Sequence, residues 1–301
     1  MRLLVTGATG QIGWELARSL MPLGEVIAVD RQRCDLSRPE TIPAMVRDAR
    51  PDVLVNAAGY TAVDAAEDDE TLATMVNGTA AGVLADEARR IGALFVHYST
   101  DYVFDGTKGE PYVEDDPPRP LNAYGRSKLA GEAAVCQAGG DHLILRTIWI
   151  YAARGRNFLN TILRRARERD ELRVVVDQVG APTWARNIAD ATAHAIRHAR
   201  HERGRGEFRS ELLHIAAAGA TSWHGFAQAI VAGATGLART PGSVPTIHAI
   251  PSEAYPTRAP RPKNSRLDCD RLRARFDVAL PDWATALAFC LADASLRPPV
   301  D

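Results

Sequence analysis

The chain has 301 residues, of which 46% are apolar and 24% charged. That is material for one large or two interlocked domains, and it excludes a disordered or collagen-like chain. Lys+Arg total 36 against Asp+Glu 37, a formal net charge of -1, so no basic excess points to nucleic acid or an anionic membrane as partner. Cys34, Cys136, Cys269 and Cys290 are scattered and form no CxxC pair, which speaks against a disulfide framework or a zinc ribbon and, with no signal-peptide pattern or membrane-length apolar run, leads us to expect a cytoplasmic chain.

Taken in order, Arg2–Thr6 reads as a buried strand and Gln11–Met21 as a helix. Val26–Asp30 is the next strand, and Ser37 followed by Pro39 reads as a helix start. Val53–Asn56 is a third strand, Leu72–Arg90 a periodic helix, and Ala93–Tyr98 a fourth strand. Residues 102–121 are a loop rich in Gly, Pro and acid. Ala123–Cys136 reads as a helix and His142–Arg146 as a strand. This alternation predicts an α/β fold, a doubly wound parallel sheet with helices on both faces, over residues 1–150. Residues 151–301 predict a smaller α/β substrate domain, with 172–199 returning to the first. It holds helices at Asn157–Arg169, Asn187–His198 and after the cap Thr221-Ser222, strands at Leu172–Val176 and Leu212–Ile215, and a Pro-rich binding loop over 236–266.

The first strand runs into Gly7-Ala8-Thr9-Gly10-Gln11-Ile12-Gly13 and then a helix. Glycines at this junction permit a tight turn and let a pyrophosphate approach backbone N–H groups at a helix N-terminus. Asp30 ends the second strand, where a carboxylate accepts from an adenosine ribose, while Arg31 and Arg33 suit a 2′-phosphate. The two tendencies oppose each other, so both NADPH and NADH are expected to serve. Asp35 and Leu36 are candidates to flank the adenine.

Tyr124 and Lys128 stand one helical turn apart. A cation beside a phenol favours the phenolate and brings it toward acid–base duty. Only three of the 36 cationic residues are lysine, Lys108, Lys128 and Lys263, which makes lysine at position 128 informative. Its compact head reaches where the guanidinium fork does not. The fourth strand ends at His97-Tyr98-Ser99-Thr100-Asp101. Ser99 or Thr100 is placed to hydrogen-bond a substrate carbonyl oxygen, and position alone does not choose between them. His97 reads as packed rather than catalytic. In the second half, Arg154, Arg156, Asn157 and Arg261 are candidates for a substrate diphosphate.

Together GATGQIGWEL (7–16), PDVLVNAAGYTAVD (51–64), HYSTDYVFDG (97–106), LNAYGRSKLAGE (121–132), RTIWIY (146–151), DQVGAPT (177–183) and RPKNSRL (261–267) resemble the extended short-chain dehydrogenase/reductase family along nearly the whole chain. The glycine turn and YxxxK mark the superfamily. The STDYVFDG, DQVGAPT and RPKNSRL segments are more specific, and resemble a branch that reduces C4 of a dTDP-linked 4-keto-6-deoxysugar. The resemblance implies Thr100 as the carbonyl-binding hydroxyl, Tyr124 as proton donor and Lys128 as its ribose-binding modulator. It implies Gly10, Gln11 and Ile12 at the pyrophosphate, Asp30, Asp35 and Leu36 at the adenosine, and Gly59, Tyr60 and Thr61 beside the nicotinamide, with NADPH preferred. Asp101 and Trp149 match substrate-contacting positions. Some members bind magnesium through carboxylates at a dimer interface. Trp184-Ala185-Arg186 and Asp282-Trp283-Ala284 are poor in carboxylates, so no metal ligand is assigned and a homodimer stays open. Two competing classes are a non-catalytic relative, which would lose the Tyr/Lys pair, and an epimerase or dehydratase, the latter expected to carry a Glu beside Thr100.

Overall fold

In the computed structural model, which describes residues 1–234 and 245–295, six strands form one parallel sheet. They are β1 (Arg2–Thr6), β2 (Glu25–Val29), β3 (Val53–Asn56), β4 (Leu94–Thr100), β5 (His142–Thr147) and β10 (Glu211–His214), in the order β10-β5-β4-β3-β1-β2. Their registers are all parallel. Strands in such a sheet are covered on both faces, and successive side chains alternate between the two. Leu3 and Val5 accordingly pack on one side with Leu16, Val96 and Ile188, and Leu4 on the other with Leu54, Leu84 and Phe95.

The helices supply those covers. α1 (Gln11–Ser19) and α8 (Ala185–Arg205) lie together on the first face, with α2 (Ile42–Ala49) and α5 (Ala80–Arg90) on the second. The continuous helix predicted over 72–90 is three pieces. They are α4 (Glu70–Thr74), a π turn at Met75–Thr79 and α5, with short α3 (Val63–Ala66) standing before them. Ser37 caps no helix: its hydroxyl donates to Asp35, and a 3₁₀ turn at Pro39–Thr41 precedes α2. The helix α6 (Ala123–Ala138) is capped by Asn122, whose side chain accepts from the Gly125 N–H.

Beyond β5 the chain builds a second core. Short β6 (Ile150–Tyr151) pairs with β9 (Thr183–Trp184), β7 (Glu171–Val175) with β12 (Thr246–Ile250), and β8 (Val179–Gly180) with β11 (Thr221–Ser222). Helices α7 (Phe158–Glu168), α9 (Trp223–Gly233) and α11 (Trp283–Ser295) pack on them, while α10 (Asp270–Phe276) reaches back to β10 and α8. Tyr151, Leu159, Trp184, Phe226 and Leu287 lie in the second core. Residues 172–175 thus pair away from the main sheet, while 185–205 pack on α1 and 211–214 complete the sheet edge. The Pro-rich loop contains the strand β12, and its residues 236–244 lie outside the described residues. No helix among the described residues is long and apolar enough to cross a membrane.

Candidate active site

The strand order reverses at β1, with β2 on one side and β3 on the other, and a crevice opens at the carboxyl ends of the strands there. A groove of about 460 Å³ occupies it. Gly7, Gly10, Gln11 and Ile12 form its floor, Arg31, Asp35 and Leu36 one end, and Gly59, Tyr60 and Thr61 the other. The glycines are there for steric reasons. Gly7 sits at φ +72°, and a Cβ on Gly13 would lie 2.1 Å from the Gly7 carbonyl oxygen. Gly13 therefore seats α1 on the turn and does not line the groove. Asp30 also stands back from the groove wall, its Oδ1 accepting from the N–H groups of Gln32 and Arg33 at 3.1 and 3.3 Å. Arg31 does line the groove and pairs with Asp35 at 3.4 Å. This bare floor of backbone at a helix start fits a dinucleotide pyrophosphate.

Thr100, Tyr124 and Lys128 meet at the end of β4. The Thr100 hydroxyl donates to Asp101 Oδ1 at 3.0 Å and accepts from the Tyr102 N–H. It lies beside the Tyr124 phenol, which burial pushes up to about 12 against the lowering pull of that hydroxyl. Ser99, one residue earlier on the strand, projects to the other face and is buried. Lys128 Nζ donates to the Tyr98 carbonyl at 2.6 Å, and burial brings its pKa down to about 8, opposed by Glu132. The ammonium does not draw the phenol down as expected: Lys128 faces the Tyr98 carbonyl, and desolvation governs both groups. His97 is buried and takes Asn56 as partner at 3.1 Å, in keeping with a packing role.

Asp101 is buried, which raises its carboxyl to about 7 although the Ser265 and Thr100 hydroxyls pull the other way. Tyr102 stands edge-on to Tyr124, ring centres 5.6 Å apart, and Arg261 lies over Tyr102 while pairing with Asp64 at 2.8 Å. Trp149 adopts φ +42°, a conformation costly for a bulky residue, and stacks on Trp223 at 3.7 Å. Gly180 makes room for it, since a Cβ there would come within 2.8 Å of the indole.

The three more specific segments turn out to be one junction. Asn264 Nδ2 donates to the carbonyls of Lys108 and Glu110, and its N–H to the Gly106 carbonyl. The N–H of Val179 donates to the Lys263 carbonyl, and that of Ser265 to the Val179 carbonyl. Sequence reasoning missed Asn77. From the π turn its Oδ1 accepts from the Tyr60 N–H at 2.8 Å, and its Nδ2 donates to the Tyr60 carbonyl and to Ser127. Ser127 in turn donates to the Tyr124 carbonyl. The smooth apolar periodicity of 72–90 gave no sign of this interruption. Arg154, a candidate for the substrate diphosphate, instead stacks on α1, its guanidinium 3.5 Å from the Trp14 ring centre.

Away from the groove, Glu15, Asp190 and Asp293 gather from three helices around Arg18 and Arg186. These acids were not visible as a cluster in the sequence. Each is engaged by a guanidinium, and among the described residues no group of three or more metal-ligating side chains is arranged to hold an ion.

A glycine-floored dinucleotide groove beside a threonine, a tyrosine and a lysine defines an extended short-chain dehydrogenase/reductase. Within that class the chain belongs to the family described as the RmlD substrate binding domain, which matches residues 1–296. It is 58% identical over 294 residues to dTDP-4-dehydrorhamnose reductase of Burkholderia thailandensis, covering 97% of this chain and 99% of that one. It is 46% identical over 287 residues to the enzyme of the same name from Escherichia coli, covering 94% of each. The crystal structure of dTDP-4-dehydrorhamnose reductase from Bacillus anthracis in complex with NADP superposes with a TM-score of 0.87 at 31% identity, covering 97% of this chain and 99% of that one.

Proposed function

We propose that this chain reduces the C4 keto group of dTDP-4-dehydro-L-rhamnose to give dTDP-L-rhamnose, with NADPH as the preferred reductant and NADH also accepted. The convergence of Thr100, Tyr124 and Lys128 at the end of β4 carries the reading, with Tyr124 packed on the same small cluster as Tyr60 of the groove wall. The names of its relatives and the bound NADP of the Bacillus anthracis enzyme support it. When bound, the cofactor supplies a hydride. Gly7, Gly10, Gln11 and Ile12 would hold its pyrophosphate, Arg31, Asp35 and Leu36 its adenosine end, and Gly59, Tyr60 and Thr61 its nicotinamide side.

Thr100 donates a hydrogen bond to the C4 oxygen, orienting the carbonyl and stabilising the charge that develops there. The Tyr124 phenol, held protonated at neutral pH, gives its proton to that oxygen, and the Lys128 ammonium compensates the phenolate left behind. Asp101, Trp149 and Arg261 surround the sugar nucleotide. Residues 1–150 with α8 and β10 serve the cofactor, and most of the rest of 151–301 serves the sugar nucleotide, whose reduced form suits lipopolysaccharide O-antigen synthesis. The test is kcat/KM for dTDP-4-dehydro-L-rhamnose against the free 4-keto sugar, followed by loss of reduced-cofactor absorbance. The free sugar should lose in kcat as well as KM, because remote binding energy positions the carbonyl. Equal turnover of both would overturn the assignment of a nucleotide-sugar site, and the Arg261→Ala variant should lose only with the nucleotide-linked substrate.

A further inference from the structure

The segment Ala152–Asn157 leaves β6, enters α7 and runs along the dinucleotide groove from the second half of the chain. Gly155 and Arg156 line the groove together with Gly10 and Gln11. Its course is held by two amides. Asn157 Nδ2 donates to the carbonyls of Ala152 and Arg154 at 2.8 and 3.1 Å, and to Gln11 Oε1 at 2.9 Å. Asn160 Nδ2 donates to the carbonyls of Ala152 and Gly155. Gly155, at φ +74°, makes the turn that only a residue without a Cβ takes readily. Arg154 closes the outside by stacking on Trp14 of α1. Arg156 is left exposed, with no hydrogen-bond or ion-pair partner among the described residues.

We propose, resting on the reading of this groove as a dinucleotide site, that Arg156 is a ligand of the cofactor's pyrophosphate, delivered across the groove by this strap. The strap's own anchor is Gln11, in the pyrophosphate turn, whereas Arg31 and Asp35 stand at the adenosine end. A planar guanidinium with unused donors matches paired phosphate oxygens, and it meets them opposite the N–H groups of the glycine turn. The sugar half of the chain thereby takes part in holding the cofactor, and the Arg154–Trp14 stack and the Asn157–Gln11 bond set where Arg156 stands.

Calorimetric binding of NADPH, NADH, ADP-ribose and dTDP to the full chain tests this without turnover. Arg156→Ala should raise Kd for the first three by a similar factor, about 5- to 20-fold for a charge-assisted contact at a partly open surface, and leave dTDP binding unchanged. Arg156→Lys should recover part of the loss. Arg154→Ala should weaken the same three ligands by about 2- to 5-fold and alter Trp14 fluorescence. Unchanged dinucleotide Kd in Arg156→Ala overturns the proposal. So does a loss confined to dTDP, which would place Arg156 at the substrate's diphosphate, or one confined to NADPH, which would place it at the 2′-phosphate. A parent chain that binds none of the dinucleotides would overturn the groove's reading itself.

Discussion

Replacing Glu132 by Gln breaks a buried ion pair that stands one helical turn beyond Lys128. Arg146 Nε and Nη2 donate to the two Glu132 oxygens at 2.8 and 2.7 Å, and the side chains are only 4% and 5% exposed. Solvent screens such a pair poorly. Removing one partner leaves the other charge buried and uncompensated, at about 3–5 kcal/mol. Glutamine keeps one acceptor for Arg146, so the lower end, about 3 kcal/mol, is expected. At about 2–4 °C per kcal/mol for a chain of this size, the melting temperature should fall by roughly 6–12 °C. A second effect is chemical. Burial drives Lys128 down to about 8 and Glu132 opposes it. Without Glu132 the ammonium is lost at lower pH, so the alkaline limb of kcat/KM should move down from about pH 8. Thermal melts and pH–rate profiles read the two effects separately. The double variant Glu132→Leu/Arg146→Met should regain most of the melting temperature, since no charge is then buried, without restoring the pH limb. A Glu132→Gln variant that melts within about 2 °C of the parent, with its pH limb unmoved, would refute both the burial argument and the electrostatic link to Lys128.

Other expectations follow from the same geometry. Lys128→Arg should lose on the order of 10²–10⁴-fold in kcat, because the larger fork does not fit where Nζ meets the Tyr98 carbonyl; near-parent turnover would make the Tyr124/Lys128 pair incidental. Asp101→Asn should raise the melting temperature more at pH 8 than at pH 5. Burial pushes the folded carboxyl up to about 7 from its usual 3.8, so the stability of the protonated form is lost progressively as pH rises from about 4 to about 7. An equal shift at both pH values would contradict this. Gly180→Ala should raise KM for the sugar nucleotide more than for NADPH, because the new Cβ collides with the Trp149 indole and Ile148. Overpacking of this kind costs about 1–3 kcal/mol, and unchanged steady-state constants would show that Trp149 is free to move.

Much of this was legible in the sequence because the signals were local. The strand–glycine turn–helix at 2–19 declares itself by steric need, and Tyr124 and Lys128 share a helix face by spacing alone. Other features depended on partners distant in the chain. The π turn at Met75–Thr79 is invisible because Asn77 interrupts the helix through bonds to Tyr60 and Ser127, not through its own propensity. Strand β12 lies in a Pro-rich stretch and forms because β7 offers an edge. Arg154 and Arg156 sit two residues apart in one basic segment, yet the turn at Gly155 sends one to Trp14 and the other to the groove. The carboxylates Glu15, Asp190 and Asp293 come together only because α1 and α8 pack side by side and Asp293 of α11 reaches Arg186. Lys128 shows the same limit at smaller scale: its position was evident, but its present partner, a backbone carbonyl of β4, was not.

The proposed reaction delivers hydride to one carbon of one sugar nucleotide. It is tested most directly by incubating the chain with dTDP-4-dehydro-L-rhamnose and NADPH that carries deuterium at both positions of the nicotinamide C4. The product should be dTDP-L-rhamnose with a single deuterium at sugar C4, seen as loss of that proton resonance and a gain of one mass unit. Deuterium at any other sugar carbon, or a product without label, would contradict the account.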